Sequence, residues 1–332
     1  VSGTRRIHRA GILLLLCTLL LVTGCDRKTN GERQSFLSLG TVCAVTLPAG
    51  TSQSVYDEIK QEILRINDVF SRTAEGSELY ALNRDKTIIA SEEFYALVEK
   101  AVSMAKLSDG AFDPAIGGIT ALWNIATDHP RVPSQEEIDQ VDRSWQEIVM
   151  DPAKRRITIP KNMDVDLGGI AKGYAADRAH EIMEKRGVVR GIINLGGNVY
   201  AIGSKENGDL WKIGLRDPNG EEGSVFIVVH LADRAVVTSG GYERFFVQDG
   251  KTYQHILDPK TGWPAESDLL SSSIIGTDST VCDALSTAVY VLGSEKGLAL
   301  INSLDGFDCV LMKTDGTILF SDNFPYTTNY LT

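Results

Sequence analysis

The sequence has 332 residues, 43% hydrophobic and 23% charged, the make-up of an ordinary globular chain. Its formal net charge is −11 with no basic run, which argues against nucleic acid as a partner. Its five histidines form no HxxxH or HExxH pair and its five cysteines no CxxC, so neither zinc hydrolysis nor dithiol chemistry is indicated. A phosphate ligand would have to be held locally, by a helix N-terminus, single lysines or arginines, or a divalent cation.

The first segment reads as a targeting signal. Arg5, Arg6 and Arg9 precede an apolar run from Gly11 to Val22. That run is shorter than the roughly 20 residues a membrane span needs, and it fits a signal-peptide core. It ends in LVTGC, with Cys25 last, and this resembles a bacterial lipobox. The resemblance implies cleavage after residue 24 and lipidation of Cys25; the plainer alternative is a secretion signal with an incidental cysteine. Asp26 resembles an inner-membrane retention signal. The expected organisation is a signal over 1–24, a lipidated tether over 25–35 and a folded domain over 36–332. The expected location is the extracytoplasmic face of the membrane, on the periplasmic side of the inner membrane, held by the lipid anchor.

Along the domain, Val42–Leu47 reads as a strand. Val55, Ile59, Ile63, Ile66 and Phe70 recur at helical spacing, which predicts a helix over Ser54–Phe70. Ser91, followed by Glu92 and Glu93, opens a second helix running to Leu107. Ser134 and Glu137 form a capping box for a short helix to Asp142. A hairpin over 147–150 and 156–159 comes next, then a helix from just after Gly169 to Arg186. The remainder turns β-rich, with strands over 191–195, 199–203, 211–215, 225–231, 235–238, 244–248, 253–256 and 270–276. Helices over 281–292 and 294–304 and strands over 309–312 and 317–320 complete it. Strands in runs with separate helices predict an α+β fold with mainly antiparallel sheets. No GxGxxG or GxxxxGK pattern is present. Cys43, Cys282 and Cys309 read as small buried apolar residues.

Six segments carry candidate chemistry. DLGGIAKGYAAD (166–177) sets Asp166, two glycines and Lys172 where a strand gives way to a helix. Glycines admit close approach to backbone, and a helix start favours anions, so the segment suits phosphate; a tightly packed turn is the alternative. Asp283 and Thr287, four apart on a helix, share a face. Their hard oxygens suit Mg2+ completed by a backbone carbonyl and phosphates, or else Asp283 merely favours the helix dipole and Thr287 packs. His255, at a strand end in HILDPKTG (255–262), is either a general base or simply hydrogen-bonded structure. SDGAFDP (108–114) offers an aromatic, backbone amides and Asp113 to a flat heterocycle. NLGGN (194–198) and TSGGYER (238–244) are further glycine turns that suit a cleft lining.

These motifs, in this order and with Gly40-Thr41 ahead of them, resemble the bacterial flavin transferase family ApbE across nearly the whole mature chain. The resemblance implies a T-fold-like α+β structure with the ligand cleft between two subdomains. It also implies an FAD:protein FMN transferase that is Mg2+-dependent. Such an enzyme moves FMN from FAD to a threonine hydroxyl of an acceptor protein and releases AMP. By motif position, Asp283, Thr287 and the Gly169 carbonyl match metal ligands. Leu39, Ala111, Phe112, Asp113, Asp166, Lys172 and Ile256 fall at or beside flavin-binding positions, and His255 matches the base that activates the acceptor. The implied acceptors are membrane subunits of Na+-translocating NADH:quinone reductase or Rnf-type complexes. Leu39 departs from the methionine many relatives carry there, and Gly241 stands where many have another residue. An FAD pyrophosphatase giving FMN and AMP, or a non-catalytic lipid-anchored flavin-binding protein, are the alternative readings.

Overall fold

The computed structural model describes residues 31–330 except 126, 222 and 327. The expected signal, the lipobox and Cys25 lie outside the described residues. The chain enters through β1 (Glu32–Ser38), which pairs antiparallel with β2 (Thr41–Leu47). The expected tether therefore does not extend to residue 35, because Glu32 is already paired with Leu47. The reason is a period-two pattern: Gln34, Phe36 and Ser38 turn inward while Arg33, Ser35 and Leu37 face out.

Next come α1 (Gln53–Val69), α2 (Glu78–Asp85), β3 (Thr87–Ile89), α3 (Glu92–Leu107), α4 (Gly117–Trp123) and α5 (Gln135–Asp139). Then follow β4 (Val149–Asp151), β5 (Arg156–Thr158) and α6 (Ala171–Lys185). The β-rich half holds β6 (Gly191–Leu195), β7 (Asn198–Ile202), β8 (Trp211–Arg216), β9 (Val225–Leu231) and β10 (Arg234–Gly240). It continues through β11 (Phe245–Gln248), β12 (Lys251–Gln254) and β13 (Leu269–Gly276). The chain closes with α7 (Ser279–Asn302), β14 (Asp308–Lys313), β15 (Ile318–Phe320) and β16 (Thr328–Tyr330).

An eight-stranded sheet in the order β1-β2-β6-β7-β10-β13-β14-β15 is the frame, and all its pairings are antiparallel. Helices α1, α6 and α7 cover one face. Val55, Ile59, Ile63 and Ile66 form the buried stripe of α1 that the sequence spacing predicts. The other face is covered by the three-stranded sheet β16-β9-β8, through a second core of Ile213, Leu215, Ile227 and Val229 against Val236, Ile275 and Val310. A third cluster, around Trp123, joins α4 and α5 to the β11–β12 hairpin.

Ser52, Ser77 and Ser91 cap α1, α2 and α3, and the Ser134–Glu137 capping box opens α5 as expected, although that helix stops at Asp139. The two helices expected over 281–292 and 294–304 are both present and meet at Gly293, whose φ of 78° breaks the helix between them; together they are α7. By length and composition α7 could cross a bilayer, but half of its apolar window is buried and it packs on β10 and β13 as a core helix. Cys43, Cys282 and Cys309 are free and buried, as the sequence suggests.

Candidate active site

All eleven site candidates that fall within the described residues line one cleft of about 680 Å3: Leu39, Ala111, Phe112, Asp113, Asp166, Gly169, Lys172, His255, Ile256, Asp283 and Thr287. The volume falls in the range of small-molecule and cofactor sites. Its walls come from the β1–β2 turn, the loop before α4, the start of α6, the end of β10, the strand end after β12, and α7.

Helices α6 and α7 meet at Gly173, where a Cβ would lie 2.2 Å from the Ser279 carbonyl oxygen, so only glycine allows this crossing. There each helix caps the other. Asp177 of α6 accepts from the Ser279 and Thr280 N–H groups at 2.9 and 2.8 Å, and from the Thr280 hydroxyl. Asp283 of α7, only 3% exposed, accepts from the Gly173 N–H at 2.9 Å. These are first-turn donors that no intrahelical carbonyl can reach. Burial pushes the Asp177 carboxyl up to about 6, against the pull of its hydrogen bonds.

This revises the anion site expected at the start of α6. The Ile170 and Ala171 N–H groups donate to the Leu167 carbonyl at 3.1 and 2.9 Å, and Gly173 donates to Asp283. Lys172 Nζ lies 3.4 Å from Asp283 Oδ1 and the same distance from the Gly168 carbonyl, so it reaches over the helix start. The site therefore presents a carboxylate and an ammonium rather than a row of free N–H groups.

Thr287 stands one turn beyond Asp283. Its hydroxyl is 3.4 Å from Ser239 Oγ, which lies 2.8 Å from Ser286 Oγ. Ser286 in turn donates to the Asp283 carbonyl at 2.8 Å, so Ser239 acts as donor to Ser286. The backbone at Gly169 lies beside Thr287, since a Cβ built there would sit 3.6 Å from the Thr287 hydroxyl and 3.0 Å from the Phe112 ring. One carboxylate, one hydroxyl and nearby main chain thus share a corner of the cleft.

Asp113 and Asp166 shape the cleft through their own hydrogen bonds. Asp113 accepts from the Ala115 and Trp145 N–H groups at 2.8 and 3.1 Å, and burial pushes its carboxyl up to about 6. Asp166 accepts from the Gly168 N–H at 2.7 Å and from Arg72 Nη1 at 2.9 Å. Arg72 also donates to the Gly117 carbonyl at 2.8 Å and so ties the segment after α1 to both loops. Sequence reasoning missed Arg72, because nothing marks an arginine in a polar run 94 residues from its carboxylate. It also missed Asn67, whose side chain accepts the Leu39 N–H at 3.1 Å. That contact holds Leu39 at a φ of 52°, a left-handed conformation unusual for leucine.

His255 is oriented by a single carbonyl. The Arg244 carbonyl oxygen accepts the His255 N–H at 3.0 Å and lies 3.1 Å from its Nδ1. A carbonyl can only accept, so Nδ1 carries the proton and Nε2 keeps a free lone pair. Burial is the main cause that brings the imidazole down to about 4, with the charges of Arg244 and Lys172 adding to it. The ring is therefore neutral at neutral pH. The Arg244 side chain donates to the Gly40 carbonyl at 2.9 Å and joins this loop to the β1–β2 turn.

A neutral, oriented base beside an ammonium, a carboxylate and a hydroxyl in one cleft is the equipment of a group-transfer enzyme acting on a phosphate ester. The ApbE family model matches residues 39–311, and the chain belongs to the ApbE family. An FAD:protein FMN transferase of Treponema pallidum is 35% identical over 91% of this chain and 90% of its own length. One from Klebsiella pneumoniae is 32% identical over 81% and 85%. Among solved structures, the ApbE protein of Thermotoga maritima superposes with a TM-score of 0.83 at 34% identity, covering 89% of this chain and 98% of that one.

Proposed function

We propose that this chain is an FAD:protein FMN transferase that moves FMN from FAD onto a threonine hydroxyl of an acceptor protein. The acceptor oxygen attacks the FMN phosphorus, the bond to the AMP phosphate breaks, and AMP leaves. His255 Nε2 takes the hydroxyl proton. The observation that carries this reading is the convergence of that free Nε2 with Lys172, Asp283 and Thr287 in one cleft. Phosphoryl transfer of this kind depends on positioning and charge stabilisation more than on covalent help from the protein.

Among the described residues no three His, Cys, Asp or Glu side chains cluster as a metal site. The Asp283 carboxylate, the Thr287 hydroxyl and the Gly169 carbonyl nevertheless fit Mg2+, which takes few protein ligands and completes its shell with phosphate and water. Bound there, Mg2+ would offset the charge of the diphosphate. The flavin would lie along Leu39, Phe112 and Ile256, with Asp113 and Asp166 holding the surrounding loops. Lipidation at Cys25 would place the enzyme on the periplasmic side of the inner membrane. Its acceptors there would be subunits of Na+-translocating NADH:quinone reductase or Rnf-type complexes, and tethering would raise their effective concentration.

The test is incubation with FAD, Mg2+ and such a subunit, followed by mass spectrometry. The expected product carries one FMN on a threonine, and Asp283→Ala abolishes it. Free FMN with no modified acceptor would instead identify water as the acceptor and sink the transferase reading.

A further inference from the structure

The transfer chemistry accounts for the cleft but not for the surface around its mouth. Nine large hydrophobic side chains are exposed among the described residues, and four of them lie on two hairpins at the cleft. Leu37 and Val42, 76% and 55% exposed, are cross-strand partners on β1–β2, beside the Leu39–Gly40 turn. Phe245 and Val247, 53% and 60% exposed, stand two apart on β11 and so share a face. The hairpins are joined where Arg244 donates to the Gly40 carbonyl. Phe245 directly follows Arg244, and its cross-strand partner Gln254 directly precedes His255.

We propose that these four side chains form a docking rim for the acceptor protein, which meets them with apolar residues around its threonine. This rests on the transferase reading. Contiguous exposed apolar surface marks interaction sites, and each hairpin presents two such side chains on one face. Here Phe245 is one register step from the histidine an acceptor hydroxyl must reach, and the Arg244–Gly40 hydrogen bond ties the other hairpin to it. The register supports a path between rim and cleft. Val42 lies on the same sheet face as Ala44, whose partner is Asn194. Asn194 lines a second cleft of about 330 Å3, which shares Thr41, Gly196, Thr238 and Glu243 with the first. The second cleft thus adjoins the first through shared walls, on the side where the β1–β2 hairpin ends. A bilayer fits this surface less well, because the chain carries a net charge of −11 and anionic lipids would repel it.

The test compares two acceptors: a soluble flavin-accepting domain of a Na+-translocating NADH:quinone reductase subunit, and a short peptide spanning its threonine. The enzyme is the full chain carrying Cys25→Ser, so that no N-terminal lipid holds it to vesicles. One variant is Leu37→Thr with Val42→Thr, the other Phe245→Thr with Val247→Thr; threonine keeps the strand preference at these exposed positions. Each hairpin is changed separately, so that a fold defect in one does not mask the other. The expected result is a rise of about tenfold in KM for the domain, with kcat, KM for FAD and transfer to the peptide unchanged. An unchanged KM for the domain in both variants would overturn the docking rim. So would unchanged acceptor kinetics with loss of binding to phosphatidylethanolamine–phosphatidylglycerol vesicles, or with loss of a wild-type dimer, since those assign the surface to lipid or to a second copy. If the wild type modifies neither acceptor, the transferase reading itself falls, and that outcome is distinct from all the others.

Discussion

The ring of His255 donates a hydrogen bond from Nδ1–H to the Arg244 carbonyl, which leaves Nε2 as the basic atom. Because its folded value lies near 4, the imidazole stays neutral, and able to accept a proton, far below the usual histidine midpoint. The acid limb of the transfer rate is expected near pH 4 to 5 rather than near 6.5, read from single-turnover rates in FAD-saturated enzyme. Replacing Arg244 by Gln removes one of the charges that hold the ring down, so the acid limb moves upward while FAD still binds. His255→Ala should slow transfer by about 100-fold or more and leave FAD affinity in place, the size expected for loss of a general base. For stability the sign follows from the same shift. Between about 4 and 6.5 the unfolded chain binds the extra proton, so this residue's contribution is complete above 6.5 and declines as pH falls.

At the level of elements, the reciprocal caps between α6 and α7 set the spacing of Lys172, Asp283 and Thr287. Asp177→Ala leaves two buried N–H groups without an acceptor and should cost about 1–3 kcal/mol in urea unfolding. The loss should be larger at pH 4 than at pH 7. The folded carboxyl titrates near 6 against an ordinary 3.8, so the stability it contributes is greatest when protonated and falls as pH rises through 6. Gly173→Ala at the same crossing forces a Cβ onto the Ser279 carbonyl and should destabilise by about 1–3 kcal/mol, or more if the helices cannot part. Both motifs were visible in the sequence, as DLGGIAKGYAAD and as the Asp283–Thr287 pair. Their mutual capping was not, because the pairing joins residues 110 apart and leaves no local signature. β1 escaped notice because it opens on two exposed charges, Glu32 and Arg33, and its inward residues include only a single large apolar side chain, Phe36. α2 has only Leu79 and Leu82 to bury, and α4 opens on two glycines, so neither shows a helical period.

For the molecule as a whole, one antiparallel sheet carries helices on one face and a small sheet on the other, and the cleft opens where the loops of these layers meet. The sequence pattern predicts the α+β character and the antiparallel pairing, because strands come in runs. It does not predict the stacking of β8, β9 and β16 on the large sheet, since both sheets read alike as alternating strands. With a net charge of −11, the chain has little general attraction for a dianionic diphosphate. FAD is therefore expected to raise the melting temperature in Mg2+ and to lose most of that effect in EDTA, measured by thermal unfolding with and without ligand.

The Asp283 carboxylate on the Gly173 N–H has a consequence for selectivity. An open helix start draws small anions, such as orthophosphate or a spent nucleotide. Here that start is already occupied by the chain's own negative charge. Asp283 and Lys172 balance one another there, so a bare phosphate gains little, whereas with Mg2+ held as proposed a dinucleotide arriving with its own cation would meet a partner. On the proposed chemistry, ligands would be sorted by charge balance before shape, and the product left after transfer, with fewer phosphates to hold a cation, is expected to bind weakest.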